Sequence, residues 1–588
     1  MKRIIVLILL LSAVVSVFGC GKDGRDQSVT TPVTTTEGEH IHVFDVKDTS
    51  AKYLRSEATC KSKNRYYYSC VCGEAGTATF GDGDKKYHDF SAQKIDKKYL
   101  VSKANCSHGE VYALSCSVCG DKAPYGVFYI GDKTDHSFTA STPDGKYICT
   151  EATESSPATY YKSCKVCGQK GEQTFVYGEP LREYTEEERS KHIPISLTVS
   201  LYDSQNVIYG FTCNTEEMPL RPVLQITADG VTAEYPAAVT EETSYNRDDD
   251  IITYYVIKAE AKLEPNKTYT YRIYDKYIGV GSEEASIKAV DPSSEAFTFV
   301  NVTDTQTYNE TNGEPFGKIL SHISGKTDFL VHTGDFVEWS KYESDWTAIL
   351  EANRQYLSGL PIMAVSGNHE TTYQNGINET YKHFNYLIPD QKSTNRGFFY
   401  SFEYGNVKFI MLNTNDLHSS KLTDEQYYWL LNELKNNACT WTIVTMHHPI
   451  YSTGFHGSEL GLRSQLGGLF AEYGVDVVIQ AHDHILQKTK PINADGVPSE
   501  ANTVKEGNVT YTIDPSGVIY MMSGAGGNEY RDVYKPDKEL YDFALGVRGP
   551  SWSEFTVEGN KLTVIMKYMN GDRAVELKRW GIIKNPAK

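Results

Sequence analysis

Ile362-Met363-Ala364-Val365-Ser366-Gly367-Asn368-His369-Glu370 carries a short apolar strand straight into a turn holding an amide, an imidazole and a carboxyl group on consecutive residues. Working outward, the same design recurs on both sides. Phe297 to Val302 runs into Asp304-Thr305-Gln306, and Phe329 to Val331 into Gly334-Asp335. Trp441 to Thr445 leads to Met446-His447-His448-Pro449, and Val475 to Ile479 to Ala481-His482-Asp483-His484. Helices are legible between them: Thr423-x-x-Gln426 is a capping box before Tyr427 to Leu434, and Gly474 is placed to end a helix near Tyr473. From Phe297 onward the chain therefore predicts layered α/β structure with its polar residues just after strands.

The residue types at those strand ends narrow the chemistry. Asp304, Asp335, Asn368, His447, His482 and His484 are hard oxygen and borderline nitrogen donors, a set suited to two adjacent divalent or trivalent transition ions. One histidine after a strand is usually structural, whereas five linked strand ends of this kind point to a metal site.

Ahead of this region, Arg182 to Lys191 is charged and reads as a linker. Ile195, Leu197, Val199 and then Val207, Tyr209, Phe211 alternate with period two, the mark of half-buried strands. Leu263-x-Pro265 followed by Tyr269, Tyr271 and Ile273 looks like the corner of a fibronectin III-like β-sandwich, in which a Tyr hydroxyl bonds back to the chain. Residues 190–292 fit such a domain.

The ordered strand-end set resembles the calcineurin-like metallophosphoesterases, and with the preceding sandwich it looks most like their purple acid phosphatase-like branch. The resemblance covers about residues 190–585 and implies a four-layer α/β domain over 295–585, built on two packed mixed β-sheets. It implies that Asp304, Asp335 and His484 hold one metal, with Gln306 adding an amide oxygen or that ligand absent, and that Asp335 bridges to a second held by Asn368, His447 and His482. His447 is preferred to His448 because the family ligand stands two residues before Pro. The implied cofactors are two transition ions, Fe, Mn or Zn, and the implied substrate is a phosphate ester, a monoester or a diester. His369 is the expected general acid, Glu370 its orienting partner, and His456 a substrate-facing residue or else an ordinary surface histidine. Gln306 stands where the family has His, Ala481 where it has Gly, and Glu338 where the purple enzymes carry an iron-binding Tyr, so no tyrosinate colour is expected. A second reading is a cell-surface binding or adhesion protein with a degenerate phosphoesterase domain, which Gln306 favours.

Three repeats precede all this. His42-Val43-Phe44, His88-Asp89-Phe90 and His136-Ser137-Phe138 open segments at 40–84, 85–131 and 132–178. Each continues with Lys-Tyr at Tyr53, Tyr99 or Tyr147 and a Ser-Cys step at Cys70, Cys116 or Cys164, then Gly73, Gly120 or Gly168. The segments resemble small zinc-ribbon-like cysteine repeats. Taken repeat by repeat, the expected ligands are His42, Cys60, Cys70 and Cys72; His88, Cys106, Cys116 and Cys119; and His136, Cys149, Cys164 and Cys167, with Glu154 where the third lone Cys should fall. Disulfides are the alternative, although the eleven cysteines left besides Cys20, out of 12, cannot all pair.

At the N-terminus Lys2-Arg3 and the apolar run Ile4 to Phe18 read as a secretory signal over 1–19, too short for a comfortable span. Val17-Phe18-Gly19-Cys20 resembles a bacterial lipobox, so Cys20 is expected to be lipidated and the chain exported and anchored to the membrane, with plain secretion as the alternative. Residues 20–39 read as a solvated linker. A formal net charge of −18 across 588 residues argues against bulk nucleic-acid binding, and 12% aromatic content excludes a largely disordered chain. Oligomeric state is not legible.

Overall fold

The computed structural model describes residues 41–371, 379–389, 398–534 and 537–585. The signal, the linker and Cys20 lie outside the described residues. Among these, no helix is long and apolar enough to cross a membrane. The described chain divides into two compact units, one running up to Tyr99 with Leu114–Ala123, the other comprising Leu100–Ala113 and everything from Pro124.

Each repeat is a 3-10 turn followed by three strands. In the first these are Ala51–Tyr53, Leu54–Ser56, Asn64–Ser69 and Ala75–Asp82; in the third, Gly145–Tyr147, Ile148–Thr150, Ala158–Ser163 and Lys170–Tyr177. The recurring Tyr and Gly have a shared purpose. Tyr53, Tyr99 and Tyr147 are buried, and their hydroxyls donate to the carbonyls of Gly73 (2.9 Å), Gly120 (2.7 Å) and Gly168 (2.5 Å). Each of those glycines has a positive φ of 70–86°, which the turn after the cysteine pair requires.

Residues 182–191, expected as a linker, contain the short helix Glu186–Ser190. Its cause is local: Thr185 accepts from the Glu188 amide at 3.2 Å and Glu188 returns to the Thr185 amide at 2.8 Å, a complete capping box. Beyond it, eight antiparallel strands from Ile195–Asp203 to Ala285–Lys288 form one continuous ladder. At its corner the Glu264 amide donates to the Tyr269 hydroxyl at 3.0 Å, the bond back to the chain expected of that tyrosine.

The α/β region holds two mixed sheets. One joins Ala296–Val302, Phe329–His332 and Ile362–Ala364 in parallel, then adds antiparallel Ser551–Glu558, Lys561–Asn570 and Arg573–Ile583. The other joins Val407–Leu412, Trp441–Met446, Val477–Gln480 and Ile519–Ser523 in parallel. Phe299 and Phe329 of the first sheet meet Phe409 of the second at 5.1 Å and 5.5 Å between ring centroids, and Phe555 stacks on Phe299 within the first sheet at 4.4 Å. Each such buried ring contributes roughly 1.5–3 kcal/mol. This packing brings the C-terminal ends of both parallel sets to one place. Thr423 caps the helix Asp424–Lys435 as expected, but the Gln426 side chain is drawn away from the cap to the Asn413 backbone, where it accepts and donates at 2.8 Å.

A buried acid lies away from the strand ends. Glu343 accepts from Asn214 at 2.6 Å and stands 3.5 Å from His383, and burial pushes its carboxyl up from 4.5 to about 8. A carboxyl raised on folding favours the native state at low pH, and that contribution is lost as pH climbs from the ordinary value toward the raised one. Glu343→Gln should therefore flatten the fall in stability between pH 5 and pH 8 by an amount on the order of several kcal/mol. Thermal melts across that window check it; an unchanged slope would assign the pH dependence elsewhere.

Candidate metal centre

Five of the strand-end residues sit in the left-handed backbone region: Asp304 (φ 51°), Gln306 (43°), Asp335 (53°), His482 (75°) and His484 (54°). Non-glycine residues avoid this region at a cost of about 1 kcal/mol or more, so the surrounding structure over-determines them. Much of that constraint comes from Glu370. Its carboxylate accepts from the amides of Asp335 (2.9 Å), Phe336 (2.8 Å) and Gly367 (2.7 Å), tying two strand-end turns together. The sequence reading gave Glu370 the task of orienting His369; its oxygens are spent instead on the peptide that carries Asp335. Gly334 and Gly367 permit the close approach of the two turns. A Cβ on Gly367 would stand 2.0 Å from Asp335 Oδ1. Gly367→Ala should accordingly weaken metal binding on the order of 10–100-fold by calorimetry, with secondary structure retained; unchanged affinity would contradict the geometry.

The expected ligands come together. Donor atoms of Asp335, His447 and His482 all lie within 4.8 Å of one another. His447 Nε2 is 3.2 Å from Asp335 Oδ2 and 3.1 Å from Asn368 Oδ1. His484 Nε2 is 3.4 Å from Asp304 Oδ1, and the His482 amide donates to Asp304 Oδ2 at 3.3 Å. Backbone carbonyls set the tautomers: His447 Nδ1 donates to Thr333 (2.9 Å) and His484 Nδ1 to Glu529 (2.7 Å), leaving each Nε2 lone pair turned toward the carboxylates. His448 also stands beside these rings, 4.9 Å from His482 and 5.1 Å from His447 between centroids, with its Nδ1 on the Thr414 hydroxyl at 2.9 Å.

Two observations show that this set suits a cation. Asp304 Oδ1 and Gln306 Oε1 are buried with no hydrogen-bond partner among the described residues, and an orphaned buried oxygen is costly unless a metal takes it. The field also demands positive charge: burial alone would lower His447, yet Asp335 and Asp304 raise it to about 9. Asp335 itself, despite burial, is held well below the carboxylate range by His447 and His369. Donors of this kind would suit two ions, with Asp304, Gln306 and His484 available to one, Asn368, His447 and His482 to the other, and Asp335 beside His447 and His482.

His369 stands beside them. Its Nδ1 donates to the Glu338 carbonyl at 2.8 Å, and its Nε2 lies 3.1 Å from Gln306 Nε2 and 3.9 Å from Asp335 Oδ2. Gln306 therefore turns its amide nitrogen to His369 and keeps its oxygen free. His456 is exposed, 4.3 Å from the His482 ring between centroids, with its amide on Asp483 at 2.8 Å. Sequence reasoning passed over Arg531. Its guanidinium reaches the His482 carbonyl at 3.5 Å and Glu529 at 3.1 Å, but it lies in a loop with no motif to mark it. The glycine run from Gly524 packs on the Asp304 turn: the Gly526 and Gly527 amides donate to the carbonyls of Thr303 (2.7 Å) and Asp304 (3.2 Å).

The cysteines form three further groups, and here the repeat-by-repeat expectation is corrected. Cys60 joins His88, Cys116 and Cys119; Cys106 joins His136, Cys164 and Cys167; His42, Cys70 and Cys72 stand together without Cys60. Cys149 is exposed and belongs to none of the three groups.

Residues 297–486 match the calcineurin-like phosphoesterase family. Purple acid phosphatase 23 of Arabidopsis thaliana is 28% identical over 312 residues, covering 48% of this chain and 63% of its own length; purple acid phosphatase 21 of the same plant is 28% identical over 277 residues, covering 45% and 56%. The chain thus spans about six-tenths or less of the length of these relatives. The structure of a purple acid phosphatase from yellow lupin (Lupinus luteus) seeds covers 73% of this chain and 80% of its own at 17% identity and a TM-score of 0.57, which shows a shared fold. With the site geometry, these define the class: the chain carries a calcineurin-like metallophosphoesterase domain. Its relatives within that class are the purple acid phosphatases.

Proposed function

We propose that this chain is a dimetal phosphoesterase that hydrolyses phosphate monoesters outside the cytoplasm. The observation that carries it is the strand-end donor set with two orphaned buried oxygens, Asp304 Oδ1 and Gln306 Oε1. Bound there, two ions would neutralise phosphate charge and lower the pKa of water for in-line attack. The chain's own residues do the rest. His369, fixed through Nδ1 by the Glu338 carbonyl, presents Nε2 toward the site and is placed to protonate the departing alkoxide. Asp335 and the Glu338 carbonyl hold His369 above its ordinary pKa, against burial. His456 and Arg531 offer donors at the mouth, where Phe455 (67% exposed) and Tyr534 (64%) give a leaving group apolar surface. The ladder at 195–288 is read as the fibronectin III-like partner of the catalytic domain.

Export and lipid anchoring rest on Lys2-Arg3, the run Ile4 to Phe18 and Gly19-Cys20. A degenerate, purely adhesive domain is disfavoured because Gln306 still supplies an oxygen where the family has His. The test is release of nitrophenol from an aryl phosphate by metal-loaded protein, with aryl phosphodiesters in parallel. Monoester turnover supports the reading; inactivity on both with two metals bound would sink it.

A further inference from the structure

The regrouped cysteines carry an inference independent of catalysis. Each of the two four-donor groups draws one Cys from one repeat and His-Cys-Cys from the next. In the first group Cys60 Sγ is 3.7 Å from Cys116 Sγ and His88 Nδ1 is 3.2 Å from Cys119 Sγ. In the second, Cys106 Sγ is 3.3 Å from Cys164 Sγ and His136 Nδ1 is 3.3 Å from Cys167 Sγ. These separations are too long for a covalent S–S bond, about 2.05 Å, and all the cysteines involved are free. They approach a tetrahedron: metal–sulfur bonds of about 2.3 Å and metal–nitrogen bonds of about 2.1 Å place neighbouring donors roughly 3.6–3.8 Å apart, against the 3.2–3.7 Å seen here.

His88 stacks on Phe90 at 5.2 Å and His136 on Phe138 at 5.4 Å, fixing both rings. The tyrosine-to-glycine bonds hold the turn after each cysteine pair.

We propose that these are two structural zinc sites, each shared by consecutive repeats, so that zinc staples the first repeat to the second and the second to the third. Three thiolates and one imidazole are a zinc donor set, and units of this size lack the apolar area to stand without such a staple. The proposal explains three irregularities of sequence at once. The third repeat has Glu154 in place of a lone Cys because no fourth follows within this array. Cys149 lies outside the groups because it serves no site. The first repeat's own His42, Cys70 and Cys72 make a three-donor group because, among the described residues, no repeat precedes it to supply a fourth.

The experiment uses the full chain, purified without chelator. A thiol-specific mercurial releases sulfur-held zinc while leaving carboxylate- and imidazole-held metal in place, and alkylation with mass mapping reports each cysteine. As mercurial is added stepwise to the unmutated chain, Cys60, Cys116 and Cys119 should be capped by mercury, and so protected from alkylation, as one set, and Cys106, Cys164 and Cys167 as another. Cys60→Ser should lose one zinc and raise alkylation of Cys116 and Cys119 at least about tenfold, with Cys70 and Cys72 unchanged. Cys106→Ser should do the same to Cys164 and Cys167, and Cys149→Ser should lose none. Capping of Cys70 and Cys72 as one set with Cys60 would overturn the sharing between repeats. Absence of mercurial-released zinc, or a disulfide among these six cysteines in the native chain, would overturn the metal itself. The release experiment on the unmutated chain decides the matter even if a variant misfolds.

Discussion

Asp335→Ala should lower kcat/KM for an aryl phosphate by on the order of 10⁴-fold, about 5 kcal/mol of transition-state stabilisation, and should cost bound metal at both positions. The size follows from where the carboxylate stands. Oδ1 accepts the His369 amide at 2.9 Å, Oδ2 lies 3.2 Å from His447 Nε2, and the residue is 1% exposed. Removing it leaves Asp304 as the one carboxylate among the proposed ligands and releases the His369 amide that Oδ1 holds, while the backbone bonds to Glu370 remain. Metal analysis beside kinetics separates the two effects. A variant that keeps two metals and most of its activity would show that the bridging position has been misassigned.

His369→Ala should instead spare metal binding and make the loss depend on the leaving group. General-acid help is worth 10²–10⁴-fold where the departing oxygen is a poor leaving group and little where it is a good one. Alkyl phosphates should therefore lose on the order of 10²–10³-fold and nitrophenyl phosphate about tenfold or less. The slope of log kcat/KM against leaving-group pKa should steepen in the variant. Uniform loss across the series would make His369 a group that binds the transferring phosphate rather than one that gives a proton.

The strand ends were legible because their signals are local. An apolar run of three to six residues followed by Asp, Asn or His needs no knowledge of distant contacts, and the parallel strands of the two sheets deliver their turns to one place. The tyrosine corner and the Gly474 helix stop were readable for the same reason, the latter with φ at 67°. What escaped depended on through-space partners. Spacing favours the pair nearer in sequence, Cys70 and Cys72, whereas the fold carries Cys60 to Cys116, 56 residues along the chain. Glu370 sits beside His369 in sequence, yet its carboxylate turns to the Asp335 peptide. Arg531 reaches the site from a loop far along the chain, and only the fold brings it to His482.

The most direct measurement is reconstitution. The full chain, stripped of its strand-end metals by a chelator and titrated with manganese, zinc or iron while phosphate release from an aryl monoester is followed, should recover activity that saturates at two equivalents per catalytic domain. Full hydrolysis by the stripped protein, or two equivalents bound with no hydrolysis by any of the three metals, would contradict the account.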